Sequence, residues 1–181
     1  MIRVLRAFKL AWWGHRNQRD KGGRPYIWHL VRVAWIAYGI TGDLEAAVVG
    51  LLHDYYEDVD WTPKVVLRFG VETEMRVWRL TRPMVGESYD SYIRHIQLSQ
   101  DPITVSVKIA DLLDNTRSGR LPRCKDAIEE QDNTSRMYRY SRALQVLLQT
   151  RLWMNGASWR YDSKAKADQA QPHPAPAHNP Q

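Results

Sequence analysis

Apolar side chains recur at intervals of three and four residues along almost the whole chain, with polar side chains between them. This spacing places the apolar side chains on one face of an α-helix, so it predicts a series of amphipathic helices. The alternation around a hairpin turn that is typical of half-buried strands is not evident. The predicted helices span residues 3–18, 25–35, 43–58, 62–70, 71–81, 87–99, 102–118 and 133–154. We therefore expect an all-α fold, a helical bundle.

Turn and capping residues support several of these boundaries. Asp43 follows Thr41-Gly42 and is suited to cap the helix that begins there. Thr62 is suited to cap the next helix, in which Pro63 takes the first position and Gly70 marks the end. The segment ITVSVKIA is rich in β-branched residues, as strands are, but its continuation into DLLDN favours a helix.

Length and composition predict one folded domain followed by a tail. A chain of 181 residues can bury a core large enough to fold unaided. Residues 163–181 are rich in Ala, Pro, Gln and His and have no apolar period, which is typical of disorder. We predict a folded domain at residues 1–160 and a disordered tail at residues 161–181.

The expected cellular location is inferred from the absence of two kinds of sequence feature, membrane spans and paired cysteines. No run approaches the roughly 18 apolar residues of a membrane span. The single cysteine, Cys124, excludes a disulfide within the chain and any zinc site that needs several thiolates. We expect a soluble cytoplasmic protein, and the sequence leaves a homo-oligomer open.

The chain is basic, with 26 Lys and Arg against 20 Asp and Glu, a formal net charge of +6. Such an excess attracts nucleic acid, and it also attracts a small polyphosphate. The Arg residues are spread over the chain and no zinc-finger or single-strand-binding signature accompanies them, so a nucleic-acid module is the less favoured interpretation.

The most apolar predicted helix ends in a cluster of titratable side chains, in the stretch LLHDYYEDVD. His53 and Asp54 stand side by side, and Glu57 and Asp58 follow one turn later. On a continuous helix the four-residue spacing pairs His53 with Glu57 and Asp54 with Asp58. The four polar groups are therefore expected to point toward one region.

Three polar residues in other segments can join this cluster. His29 interrupts the apolar stretch PYIWHLVRVAW, Asp111 interrupts VKIADLLDN, and Asn115 lies one turn beyond Asp111. An unpaired carboxylate on an apolar helix face is costly unless a cation or hydrogen-bond donors meet it. A divalent metal ion would satisfy the imidazoles and the carboxylates together.

The predicted ligand set is two imidazoles and two carboxylates, from His29, His53, Asp54 and Asp111. This set suits Mn²⁺, Fe²⁺ or Zn²⁺ better than a metal that prefers thiolates. A six-coordinate ion would keep two positions for a water and a phosphate oxygen. Glu57 and Asp58 are then candidates to orient that water or take its proton.

Each of the other candidates also has a plain structural interpretation. Glu57 and Asp58 can form a solvated helix end, and Asn115 can be an ordinary residue near a helix terminus. Arg19, Lys21 and Arg24 flank the Gly-Gly turn that precedes His29. They are either solvated charges or ligands for phosphate.

Several segments resemble one known family. HRNQRDKGGRPYIWHLVRVA, GLLHDYYEDVDWT, LRFG, GESYDSYI and VKIADLLDN are similar to segments of HD-domain phosphohydrolases related to the hydrolase half of RelA/SpoT proteins and to the small alarmone hydrolases. The resemblance covers residues 5–150 and keeps the order and spacings of that family.

The resemblance implies an all-helical fold with one Mn²⁺ held by His29, His53, Asp54 and Asp111. It also implies catalytic roles for Glu57 and Asp58, a substrate-side role for Asn115, and hydrolysis of the 3′-pyrophosphate of guanosine 3′,5′-bis(diphosphate), ppGpp. A nucleotidase, a dNTP triphosphohydrolase and a catalytically silent nucleotide-binding module are the alternatives.

One residue departs from the family pattern. Alarmone hydrolases have two adjacent basic residues after HRNQR, whereas this chain has Asp20 followed by Lys21. A carboxylate beside the expected phosphate path repels a polyanion, so Asp20 is expected to bear on the choice of substrate.

Overall fold

The computed structural model describes residues 1–20, 22–60, 62–82, 86–117 and 126–169. Its helices are α1 (Ile2–Gly14), α2 (Ile27–Thr41), α3 (Leu44–Leu52), α4 (Tyr55–Asp58), α5 (Pro63–Val66), α6 (Val71–Leu80), α7 (Tyr89–Leu98), α8 (Pro102–Asn115) and α9 (Ala127–Gln169). A 3₁₀ turn, Leu67–Phe69, joins α5 to α6.

The all-α prediction is confirmed. The described residues contain no strand, and their one isolated bridge joins Arg19 to Pro25. The ambiguous segment ITVSVKIA lies within α8, where Asp101 caps the helix by accepting a hydrogen bond from the Thr104 amide. Of the helices in these residues, none is both long and apolar enough to cross a membrane.

The prediction of one helix over residues 43–58 is wrong. Asp43 caps its start, as expected, but α3 ends at Leu52 and α4 begins at Tyr55. Between them the His53 ring turns back toward the Gly50 carbonyl oxygen, with Nδ1 at 2.9 Å. The His-Asp pair therefore occupies a turn between two helices.

The core forms where α2, α3 and α8 meet. Leu30 and Val33 of α2, Leu52 of α3, and Leu112 of α8 are fully buried there. Gly50 allows the closest approach, because a β-carbon at this position would lie 2.8 Å from the Ala34 α-carbon. These three helices carry His29, the His-Asp turn and Asp111, so the core packing also sets the spacing of the predicted ligands.

The last helix, α9, runs to Gln169 and so continues past the predicted domain boundary at residue 160. Residues 170–181 of the predicted tail lie outside the described residues, and the boundary stays a prediction.

Deleting residues 170–181 should leave the folded domain unchanged, because this segment has no apolar period and four prolines. We expect the same melting temperature and the same turnover as the full chain. Aggregation of the truncated protein, or lost activity, would show that the segment packs against the domain.

Candidate metal centre

Four side chains from three parts of the fold converge on one point. His29 comes from α2, His53 and Asp54 from the turn between α3 and α4, and Asp111 from α8. His29 Nε2 lies 3.5 Å from Asp54 Oδ2 and 3.4 Å from Asp111 Oδ1. His53 Nε2 lies 3.0 Å and 3.6 Å from the same two oxygens. The structure thus brings the four predicted ligands together.

The imidazoles present their Nε2 atoms to this point because their Nδ1 atoms are held elsewhere. His53 Nδ1 faces the Gly50 carbonyl oxygen at 2.9 Å, and a carbonyl only accepts, so Nδ1 carries the proton. His29 Nδ1 faces Asp114 Oδ2 at 2.8 Å in the same way. Metal-binding histidines are commonly oriented by such hydrogen bonds.

The carboxylates are oriented by neighbouring donors, two of which bind the same oxygens that face the histidines. The Tyr26 hydroxyl donates to Asp54 Oδ2 at 2.6 Å. Lys108 Nζ donates to Asp111 Oδ2 at 2.8 Å, and Asn115 Nδ2 donates to Asp111 Oδ1 at 2.5 Å.

The cluster attracts positive charge. Burial lowers the pKa of His29, but hydrogen bonds with Asp111, Asp114 and Asp54 outweigh burial and raise the pKa to about 9. Burial likewise raises the pKa of Asp111, yet Lys108 and the histidines hold it well below its usual value. A metal ion and protons compete for such groups, because the metal binds neutral imidazole and ionised carboxylate.

The donor set and its spacing fit a divalent cation. His53 Nε2 is buried and makes no hydrogen bond with a described residue, because the proton is on Nδ1 and Nε2 presents a lone pair to the Asp54 and Asp111 oxygens. A metal ion would relieve this costly arrangement. Ligand atoms of His29, His53 and Asp54 all lie within 4.8 Å of one another. The pairwise distances of 3.0–3.6 Å suit neighbouring ligands of one ion with bonds of about 2.0–2.2 Å.

Asp114 supports the centre from behind and was not predicted from the sequence. It is fully buried and accepts two hydrogen bonds from the Arg32 guanidinium, from Nε at 2.5 Å and Nη2 at 3.0 Å. It therefore orients His29 while its own charge is balanced by Arg32. The sequence signal was its position three residues after Asp111 in an otherwise apolar helix.

Replacing Asp114 with Asn should lower metal affinity by about 10–100-fold, because changes of this outer contact loosen the imidazole that it orients. Titration of the metal-free protein with Mn²⁺ measures the change. Asp101→Asn is the matched control, since Asp101 pairs with Arg76 and caps α8 away from the centre. The control should lower the melting temperature and leave metal affinity unchanged; an Asp114 variant with normal affinity contradicts the proposed support.

A polar cavity of about 390 Å³ opens beside the centre, and both Asp54 and Asp111 line it. Its other lining residues include Gln18, Arg19, Asp20, Tyr26, Glu57, Asp58, Arg82, Tyr89, Tyr92, Lys108, Asn115, Asn133, Arg136, Met137 and Tyr140.

The acidic pair that follows the turn faces this cavity. Glu57 Oε1 accepts a hydrogen bond from the Arg82 backbone amide at 2.5 Å, and although Glu57 is exposed, desolvation by the neighbouring atoms raises its pKa. Asp58 Oδ2 accepts from Gln18 Nε2 at 2.8 Å. A carboxylate with a raised pKa beside a metal site is suited to take a proton.

Only some of the predicted substrate-side residues line the cavity. Arg19 and Asn115 line the cavity, whereas Arg24 is exposed and does not. Lys21 lies outside the described residues. Arg19 Nη1 also donates to the Gly23 carbonyl at 2.9 Å, which ties it to the loop.

Asp20 lines the cavity but has a structural role as well. Its Oδ1 accepts hydrogen bonds from the Gly22 and Arg24 amides, at 3.0 Å and 2.9 Å. Substituting Asp20 would therefore change the loop as well as the charge, which the sequence did not indicate.

Three cations on the cavity wall were also missed by sequence reasoning: Arg82, Lys108 and Arg136. Lys108 carried a signal, because a lysine inside the apolar run VSVKIADLL needs a partner, and Asp111 is that partner. Arg82 and Arg136 carried none, since an Arg at a helix end or on a polar helix face is ordinary.

The fold and the site together define an all-helical protein with a His/Asp cluster that can bind a metal ion. The chain belongs to the HD domain family, whose profile matches residues 7–138.

Curated relatives share this region. A probable guanosine-3′,5′-bis(diphosphate) 3′-pyrophosphohydrolase of Synechocystis sp. is 33% identical over 125 residues, which are 64% of this chain and 16% of the relative. The guanosine-3′,5′-bis(diphosphate) 3′-pyrophosphohydrolase of Aquifex aeolicus is 31% identical over 121 residues, 64% of this chain and 17% of the relative. A probable GTP pyrophosphokinase of Mycobacterium leprae is 35% identical over 132 residues, which are 68% of this chain and 17% of the relative. The chain thus spans only 16–17% of the length of these relatives.

A solved structure shows the same fold. It is described as a metazoan ortholog of SpoT that hydrolyzes ppGpp and plays a role in starvation responses. Its TM-score is 0.65 at 21% sequence identity, and the match covers 85% of this chain and 94% of that chain.

Proposed function

We propose that this protein is a metal-dependent phosphohydrolase that removes the 3′-pyrophosphate of ppGpp. The observation that carries the proposal is one cavity lined by Asp54 and Asp111 of the metal centre, by the acids Glu57 and Asp58, and by cations. The names of the Synechocystis and Aquifex relatives support ppGpp as the specific substrate.

The proposed metal is Mn²⁺, with Fe²⁺ and Zn²⁺ as alternatives, because two imidazoles and two carboxylates suit all three ions. His29, His53, Asp54 and Asp111 would hold it. When bound, the ion supplies positive charge that polarises a phosphoryl oxygen and lowers the pKa of a water.

The acidic pair manages the proton of the attacking water. Glu57 accepts that proton as a bond forms between the water oxygen and the phosphorus attached to the 3′-oxygen, and Asp58 orients the water. The bond from this phosphorus to the 3′-oxygen breaks, and the 3′-oxygen takes up a proton. The products are GDP and pyrophosphate.

The remaining phosphates need cations, and the cavity wall offers Arg19, Arg82, Lys108 and Arg136. Guanidinium groups match phosphate oxygens two at a time, and Lys108 contributes a point charge. Asn115 lines the same wall and is proposed to hydrogen-bond the nucleotide. Lys21 stays a predicted phosphate ligand, while the exposed Arg24 is less well placed.

Two broader predictions also stay proposals. The proposed small nucleotide substrate favours the cytoplasm as the place of the reaction. A homo-oligomer likewise stays a prediction.

A panel of nucleotides with and without metal tests the proposed function. The purified protein is stripped with EDTA and given ppGpp, GTP, dATP or a nucleoside monophosphate, with and without Mn²⁺. We expect GDP and pyrophosphate from ppGpp only with the metal, together with a higher melting temperature when Mn²⁺ is bound.

The other outcomes assign the alternatives. Faster hydrolysis of the monophosphate or of dATP identifies a nucleotidase or a dNTP triphosphohydrolase. Nucleotide binding without any product identifies a catalytically silent binding module. Full hydrolysis of ppGpp in excess EDTA refutes the metal dependence.

A further inference from the structure

A chain of three side chains links the end of α1 to the acidic pair. His15 follows α1 directly and is 2% exposed. Its Nδ1 lies 2.5 Å from Gln18 Oε1, and Gln18 Nε2 donates to Asp58 Oδ2 at 2.8 Å. The proposed mechanism assigns no function to His15 or Gln18.

The direction of these hydrogen bonds follows from the chemistry of Asp58. An ionised carboxylate only accepts, so Gln18 must turn its amide nitrogen toward Asp58 and its amide oxygen toward His15. An amide oxygen also only accepts, so His15 Nδ1 must carry a proton. The carboxylate of Asp58 thus fixes the orientation of the Gln18 side-chain amide, and this orientation in turn places the proton on His15 Nδ1.

The two linking residues are held firmly. The backbone N–H of Gln18 donates to the backbone carbonyl oxygen of His15 at 3.0 Å. The backbone carbonyl oxygen of Gln18 accepts from the backbone N–H of Tyr26, also at 3.0 Å. The His15 ring stacks on Tyr26 with ring centroids 5.3 Å apart. Tyr26 in turn donates to Asp54, so this unit borders the metal centre without supplying a ligand.

We infer that His15 and Gln18 are positioning residues for Asp58, which fix its carboxylate by one oxygen and leave the other to accept a hydrogen bond from the attacking water. The imidazole suits this task because burial lowers the pKa of His15, so it donates at neutral pH without a net charge. The inference rests on the proposed function, because only in that reaction does Asp58 act on the water.

Gln18→Ala tests the inference. It removes a charge-assisted hydrogen bond, so kcat for ppGpp should fall by about 10-fold or more. KM and bound metal should stay within about 2-fold of the wild type, because the metal ligands are untouched. A variant that loses only substrate affinity contradicts the positioning role.

A double-mutant cycle separates positioning from a general structural effect. If Gln18 acts through Asp58, then adding Gln18→Ala to Asp58→Ala should change kcat by less than about 2-fold. If the two effects multiply, Gln18 acts independently of Asp58 and the inference fails. His15→Phe keeps the ring on Tyr26 but removes the donor, and its effect should likewise vanish when Gln18→Ala is present.

A measurement without turnover distinguishes this inference from the proposed function. In ¹⁵N NMR, His15 should be neutral with its proton on Nδ1, and the Gln18 side-chain amide resonance should shift in Asp58→Ala. A wild-type protein that hydrolyses no nucleotide refutes the proposed function, whereas a proton on Nε2 of His15 or an unmoved Gln18 amide overturns the hydrogen-bonded chain.

Discussion

Replacing Asp111 with Ala should abolish metal binding and ppGpp hydrolysis together. Changes of outer contacts alone cost about 10–100-fold in metal affinity or activity, so loss of a ligand should cost more than about 100-fold. The change also leaves Lys108 buried without its carboxylate, at 12% side-chain exposure, which adds a loss of stability. Metal content by mass spectrometry and product formation with saturating Mn²⁺ measure the two effects.

The matched control is Asp90→Ala, which removes a carboxylate with 71% side-chain exposure on α7. It should keep the wild-type metal content and turnover. Because Asp111→Ala also disturbs Lys108, the variant Asp111→Asn provides a second comparison of similar volume. Normal metal content in both Asp111 variants would exclude Asp111 as a ligand.

Replacing Glu57 with Gln should keep the metal and lower turnover by about 100-fold or more, because the amide cannot accept the proton of the water. The amide oxygen can still accept the hydrogen bond from the Arg82 backbone, so the local structure should persist. Pre-steady-state and steady-state hydrolysis of ppGpp, with metal content measured on the same sample, separates chemistry from binding.

Glu72→Gln controls for a general loss of negative charge, since Glu72 has 84% side-chain exposure on α6. It should leave kcat and KM unchanged. Normal turnover of Glu57→Gln would mean that the acidic pair is a solvated helix end, the plain interpretation that the sequence left open.

The sequence was most informative about the site where a polar or charged residue interrupts an apolar helix. His29 and Asp111 stand inside apolar helices, where an unpaired polar group is costly, so a shared partner could be inferred from residue type alone. The same reasoning applied to Lys108 and Asp114, which lie in the same apolar run. Neither was assigned a role, because a single helix does not show which of its polar residues share a partner.

Local sequence patterns did not predict the turn at the His53-Asp54 pair. A strong apolar period predicted one helix through residue 58, but the chain turns after Leu52. The hydrogen bond from the His53 ring to the Gly50 carbonyl and the contacts of the two side chains with α2 and α8 favour the turn. Tertiary contacts of this kind outweigh a helix propensity worth only a few tenths of a kcal/mol per residue.

The helical class of the fold, most of the helices and the candidate metal ligands can be predicted from the order of residues, because apolar periodicity and polar interruptions are local properties. The convergence of three helices on one point, the orientation of His29 by Asp114 and Arg32, and the role of Asp20 in its loop could not be read in this way. They depend on distances between residues far apart in sequence, and the packing of α2, α3 and α8 sets those distances.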